Sequence, residues 1–139
     1  MHTEELTEDD VTAVTALWTE AGLTRPWNDP EADFQRAVDG STSAVLGLRD
    51  VDDVVGTVMV GFDGHRGWVY YLAVQARYRR EGLGRLLMTA AEEWLGAKGA
   101  TKVQLMIRRE NATALGFYER LAYEEESVIV VSRWLDRSA

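Results

Sequence analysis

The chain has 139 residues, with 15 Lys and Arg against 23 Asp and Glu, no Cys, 46% hydrophobic and 27% charged residues. That balance predicts one globular domain, residues 1–139, burying about two-thirds of its unfolded surface, and argues against disorder. A net charge of −8 disfavours nucleic acid and anionic membranes as partners, and the lack of Cys excludes disulfides, thiolate metal sites and an acyl-cysteine intermediate.

A short strand is expected within the first six residues. From Thr7 to Gly22 the apolar positions Val11, Val14, Leu17, Trp18 and Ala21 recur at helical spacing, with Thr7 and Asp10 placed as a capping box and Gly22 as terminator. Asp29, Pro30 and Glu31 then read as an N-cap, a first-turn proline and a dipole-matched acid, opening a second helix that stops at Gly40. Ser43 to Leu48 and Val54 to Phe62 flank a polar turn, the pattern of a hairpin. A second turn, Asp63 to Gly67, leads into the strand Trp68 to Val74.

Leu83 to Leu95 mark one face of a long helix that stops at Gly99. Lys102 to Ile107 reads as a strand, Asn111 to Leu121 as a helix and Ser127 to Trp134, rich in β-branched residues, as a final strand. Strands alternating with helices in the second half imply an α/β fold whose mixed, partly parallel central sheet is flanked by helices on both faces. Uncharged stretches such as Val54 to Phe62, nine residues, fall far short of a membrane span, and Met1 to Asp10 carries five acids where a signal peptide would be basic. A cytoplasmic protein is expected.

The chemistry concentrates at one junction. Arg77, Arg79, Arg80 and Arg85 place four basic residues in nine positions, around Gly82-Leu83-Gly84 at a strand-to-helix turn. Side-chain-free backbone there can approach a ligand, and helix N–H groups with flanking arginines attract an anion, so the segment reads as a pyrophosphate site. A dinucleotide fingerprint would need Gly at position 87, which is Leu87, and a P-loop would need Gly-Lys-Ser/Thr, which is absent. The alternative is a solvated loop before a helix.

With those residues in view, Arg79-Arg80-Glu81-Gly82-Leu83-Gly84 after Leu72-Ala73-Val74 resembles the Q/R-x-x-G-x-G/A acyl-CoA signature of the GCN5-related N-acetyltransferases, the GNAT family. Asn111 to Leu121 resembles that family's later motif, an Asn before a helix carrying a Tyr, and the order of elements is also the family's. The segments Arg25 to Glu31 and Gly61 to Gly67 are similar to those of its YpeA-type subgroup. Ala122 departs from the pattern, which has Gly there.

The resemblance implies a GNAT-like sheet and transfer of an acetyl group from acetyl-CoA, without metal, to a primary amine by direct attack. Leu72, Ala73 and Val74 would pair with the pantetheine arm as another strand would, and a backbone N–H near Leu72 would polarise the thioester. Arg79, Arg80, Glu81, Gly82, Leu83, Gly84 and Arg85 would take the pyrophosphate. Asn111 would bond the pantetheine, or else only cap its helix. Tyr118 is the candidate general acid, and Asp63 and His65 are candidate bases, with an ordered-water relay as the alternative. Trp27, Asn28 and Asp29 are candidates for an acceptor wall, while Trp68, Tyr70 and Tyr71 either line that cleft or pack on the helices. The acidic composition favours a cationic acceptor. Two other readings keep the fold: a non-catalytic acyl-CoA sensor, and an interaction module dimerising through a Val128 to Val131 edge strand, a surface that also admits a homodimer of the enzyme.

Overall fold

The computed structural model describes residues 1–137, and the chain divides into two compact units, Met1–Met106 and residues 107 onward. In the first, β1 (Thr3–Glu5) precedes α1 (Val11–Glu20) and α2 (Pro30–Asp39), followed by β2 (Ser43–Asp50), β3 (Asp53–Phe62), β4 (Gly67–Val74), α3 (Leu83–Lys98) and β5 (Val103–Gln104). The five strands lie in that order in one sheet, antiparallel from β1 to β4 and parallel between β4 and β5. The parallel step needs a crossover, and α3 supplies it.

Two adjacent residues of β3 show how the sheet is covered. The Thr57 side chain bonds the indole of Trp18 on α1, whereas a Cβ on Gly56 would lie 2.9 Å from Leu87 Cδ1 on α3. Successive residues of a strand point to opposite faces, so α1 lies on one face and α3 on the other. Glycine at position 56 lets α3 approach the backbone; any side chain there would displace Leu87.

Under α1 and α2 the core gathers Val14, Leu17, Trp18 and Phe34 against Val45, Val54 and Ala73. Trp18 meets Phe34 edge to face, with ring centroids 6.1 Å apart. At the sheet's first edge, Arg49 donates to Glu4 and to Asp10, at 2.9 Å for the latter, tying β2 to β1 and to the turn before α1.

Local chemistry sets the helix boundaries. Asp29 Oδ1 accepts the Ala32 N–H at 3.1 Å with Pro30 in the first turn, as the sequence pattern requires. The first expected helix is divided: Glu8–Asp10 form a 3-10 turn, and the α-helix begins at Val11. There the Asp10 carboxylate accepts the Thr7 N–H at 3.1 Å.

Two expected strands are corrected. Lys102 to Ile107 contracts to Val103–Gln104, because β5 is paired only to the first two residues of β4. Ser127 to Trp134 is irregular, and Val128 to Val131 are 66–86% exposed. Branched side chains favour a strand only against a partner, and no ladder among the described residues extends beyond Gln104.

The second unit holds α4 (Ala112–Arg120), capped by Asn111 Oδ1, which accepts the Ala114 N–H at 3.1 Å. It ends in a Schellman turn: the Tyr123 N–H donates to the Tyr118 carbonyl, and Ala122 adopts a left-handed φ of +68°. The family's Gly is therefore absent but its backbone conformation is kept. Because that conformation costs a Cβ-bearing residue about 1–2 kcal/mol and Gly returns part of this as unfolded-state entropy, Ala122→Gly should stabilise the protein by about 0.5–1 kcal/mol in urea melts. A destabilised variant would contradict the turn geometry.

Candidate functional site

On the β5 side, β4 is paired only at Gly67 with Val103 and at Trp68 with Gln104. From Val69 to Val74 that edge has no ladder partner among the described residues. On the other side the β3–β4 register slips: Thr57 faces Ala73 and Met59 faces Tyr70, so Val58 alone opposes both Tyr71 and Leu72. This is a β-bulge, and Tyr71 sits in it at a left-handed φ of +53°.

Tyr71 is held at three points. Its ring stacks on Trp18 with centroids 3.8 Å apart and planes 8° from parallel. Its hydroxyl donates to Asp33 Oδ2 at 2.8 Å, and its carbonyl accepts from Thr57 Oγ1 at 3.1 Å. Burial, and then the Asp33 carboxylate, push the phenol upward from its ordinary pKa.

Beside the bulge, α2, β3 and β4 bound a cleft of about 550 Å³, lined by Asn28, Asp33, Ser43, Met59, Tyr70 and Tyr71 among others. That volume suits a small molecule, and its lining joins apolar walls to a few polar groups. Of the expected acceptor wall, Asn28 lines this cleft, Asp29 caps α2 and Trp27 is exposed.

Past the end of β4 the chain makes a 3-10 turn at Ala76–Tyr78 and enters α3 through Gly82, which has φ +81°. Asp29 and Asn111 cap α2 and α4 with side-chain oxygens, whereas no side chain bonds the N-terminus of α1 or of α3, and only α3 is entered through a glycine. Its first N–H groups, from Leu83, Gly84 and Arg85, are those an α-helix leaves without intrahelical partners. The arginines divide the work. Arg77 pairs with Asp53 at 3.6 Å and lies over the Tyr78 ring, and Arg79 Nε donates to the Val74 carbonyl at 3.0 Å, fixing the loop to the strand. Arg80, Glu81 and Arg85 are exposed.

Asp63 is a turn anchor. Its Oδ1 accepts the His65 and Arg66 N–H groups at 2.8 and 2.7 Å, and its Oδ2 accepts from Trp68 Nε1 at 3.3 Å. The backbone bonds from Arg66 and then His65 hold this carboxyl below its ordinary pKa. His65 is exposed on the same turn.

In the second unit, Tyr118 is 8% exposed, with its ring edge-on to Phe117 and Tyr123 at 5.0 and 5.7 Å. Burial pushes its hydroxyl up to about 12. Asn111 spends its carbonyl oxygen on the helix cap, which leaves its amide nitrogen as a donor. Among the described residues no group of three or more His, Asp or Glu is arranged to hold a metal, and no helix is long and apolar enough to cross a membrane.

Thr57, Asp33 and Trp18 escaped sequence reasoning as site residues. One signal was available: Thr57 is the lone hydroxyl in the run Val54 to Val60.

Residues 5–123 match the family described as Acetyltransferase (GNAT) family. The acetyltransferase ECA0875 of Pectobacterium atrosepticum is 40% identical over 128 residues, covering 92% of this chain and 91% of its own length. The fold is similar to that of aminoglycoside acetyltransferase meta-AAC0020 from an uncultured soil metagenomic sample, solved with sisomicin (TM-score 0.78, 20% identity, 96% of this chain and 95% of that one). It is also similar to that of AAC(6')-Iy with a bisubstrate analogue (TM-score 0.79, 15% identity, 95% and 96% covered).

Proposed function

From the premise that the chain belongs to the GNAT acetyltransferase family, we propose that it moves an acetyl group from acetyl-CoA to a primary amine by direct attack while both substrates are bound. The family match crosses the boundary between the two units, which supports reading residues 1–139 as one acetyltransferase domain.

The observation that carries the reading is the start of α3: an uncapped helix N-terminus entered through a left-handed glycine, beside the open edge of β4. A pyrophosphate fits there. The N–H groups of Leu83, Gly84 and Arg85 bond its oxygens, Arg80 and Arg85 add charge, and Arg79 fixes the loop to Val74. The unladdered edge of Leu72, Ala73 and Val74, whose Val74 carbonyl already accepts from Arg79, pairs with the pantetheine amides, and the Asn111 amide nitrogen donates to the same arm. The thioester supplies an activated acyl group. The Leu72 N–H stabilises the charge that develops on its oxygen.

In this reading the acceptor occupies the cleft beside Tyr70 and Tyr71, and the protein's net negative charge favours a cationic amine, whether a small molecule, a lysine or a protein N-terminus. Attack strips a proton from the acceptor nitrogen, and the departing thiolate gains one. Tyr118 serves the thiolate, and His65 is the candidate side chain for the nitrogen, carried on the turn that Asp63 anchors. A water relay is the alternative path. Val128 to Val131, irregular but exposed and apolar, are the surface through which a homodimer would form.

Calorimetric titration with acetyl-CoA tests the site, followed by thiol release across a panel of amines. One saturable site is expected. Arg80→Glu should weaken it by about fivefold to tenfold and flatten its dependence on salt, since an attractive charge becomes a repulsive one. Folded protein that binds no acetyl-CoA would overturn the proposal, and binding without turnover on any amine would favour the sensor. Sedimentation with and without the ligand reads the homodimer.

A further inference from the structure

Thr57 is fully buried, the one polar side chain buried among the described residues of a core that is otherwise apolar. A hydroxyl there is costly unless both its proton and its lone pairs are used. Both are. The Trp18 indole N–H, which can only donate, points at Thr57 Oγ1 at 2.9 Å. The single hydroxyl proton is left for the Tyr71 carbonyl, 3.1 Å away. The direction of this chain of bonds is therefore fixed: indole to hydroxyl to carbonyl.

The carbonyl it ends on lies in the bulge. At a regular position of the ladder the strand backbone itself would satisfy it, but here Tyr71 and Leu72 share one opposite residue, Val58. The Tyr71 C=O and the Leu72 N–H belong to one planar trans peptide, so they point in opposite directions. Holding the carbonyl toward β3 turns the N–H away from β3, to the side where β4 has no ladder partner among the described residues from Val69 to Val74.

We propose that Thr57 is a positioning residue for acetyl transfer: by anchoring the Tyr71 carbonyl toward β3 it aims the Leu72 N–H out of the open edge of β4, where it donates to the thioester oxygen. This rests on the acetyltransferase reading above and deepens it. The β-branched side chain of Thr, with few rotamers, keeps the hydroxyl in register, and the Trp18 bond prevents its proton from turning elsewhere. The tyrosine ring contributes separately: it stacks on Trp18 and reaches Asp33 at the cleft wall, so the bulge's backbone and side chain serve different substrates.

The test compares Thr57→Val, which keeps the shape and removes the hydroxyl, with Thr57→Ser, which keeps the hydroxyl. Each is assayed for kcat, for KM toward acetyl-CoA and toward the acceptor, and for melting temperature. Thr57→Val should lose about tenfold to a hundredfold in kcat, less than deletion of an oxyanion donor, with the acceptor KM changed by less than about threefold. Thr57→Ser should recover kcat to within about threefold of the natural protein. A purely structural Thr57 predicts a lowered melting temperature with unchanged kcat in the folded variant, and that result overturns the proposal. If Thr57→Val does not fold, Thr57→Cys, with its weak S–H donor, carries the same comparison, and natural kcat in that variant overturns it equally. Loss of binding and turnover in the natural protein would remove the acetyltransferase reading itself; natural turnover with an indifferent Thr57→Val removes only the role of Thr57.

Discussion

Tyr118→Phe is expected to lower kcat by about a hundredfold while leaving the KM for acetyl-CoA within about threefold. The asymmetry follows from when the hydroxyl is needed. A thioester sulfur in the ground state carries little charge and accepts hydrogen bonds weakly, whereas the departing thiolate carries a full one. A phenol that meets it therefore stabilises the transition state more than the bound substrate. Burial pushes Tyr118 up to about 12, so the hydroxyl is protonated throughout the neutral range and the acid is available at every working pH. The rate should thus rise with pH as the acceptor amine loses its proton, and no falling limb from this residue should appear below about pH 10. Such a high pKa also means that the phenol does not surrender its proton to a thiolate for long. The proton released by the acceptor nitrogen restores it, and the pair of transfers balances. The Phe ring keeps the edge contacts with Phe117 and Tyr123, so a fall in kcat without a fall in melting temperature separates chemistry from folding. Full kcat in Tyr118→Phe would end the assignment.

The features that the amino-acid pattern disclosed are those that local chemistry decides. Asp29 before Pro30 is read as a cap and is one, and Gly82 among arginines is read as a helix entrance and is one, because side-chain oxygens and positive φ values act within a few residues. The same locality explains the hairpins from Ser43 to Val74. What escaped depends on distant partners. Val128 to Val131 have the side chains of a strand but no ladder partner among the described residues, and β-propensity is in effect a statement about neighbours. The bulge at Tyr71 leaves no mark on the alternation of β4, since the extra residue is visible only against the register of β3. Asp63 illustrates the reverse case: a carboxylate noted for its chemistry is engaged in holding a turn, and the Asp-Gly pair already said as much. Thr57 could be noticed as a hydroxyl in a valine-rich run, but its meaning required Trp18, 39 positions earlier, to be placed over it.

Trp18→Ala should destabilise the protein by about 3–5 kcal/mol in urea or guanidinium unfolding. The side chain is fully buried, stacks on Tyr71, meets Phe34 edge to face and donates to Thr57, so alanine leaves a cavity and a buried hydroxyl oxygen that has lost its donor. Against a total of about 5–15 kcal/mol for a typical domain, much of the folded population's margin is removed. Trp18→Phe fills most of the cavity and lacks only the N–H, so the difference between the two variants separates packing from hydrogen bonding. The structure also requires that the two properties fail together. Tyr71 holds a left-handed backbone conformation that costs a residue with a Cβ about 1–2 kcal/mol, and it stays there because ring, hydroxyl and carbonyl are each engaged. Without the indole, the ring loses its stack and the Thr57 proton its fixed direction. Trp18→Ala that still folds at low temperature should therefore bind acetyl-CoA with slower turnover than its loss of stability alone explains. A variant that melts within about 1 kcal/mol of the natural protein would show that α1 is not the support on which the bulge rests.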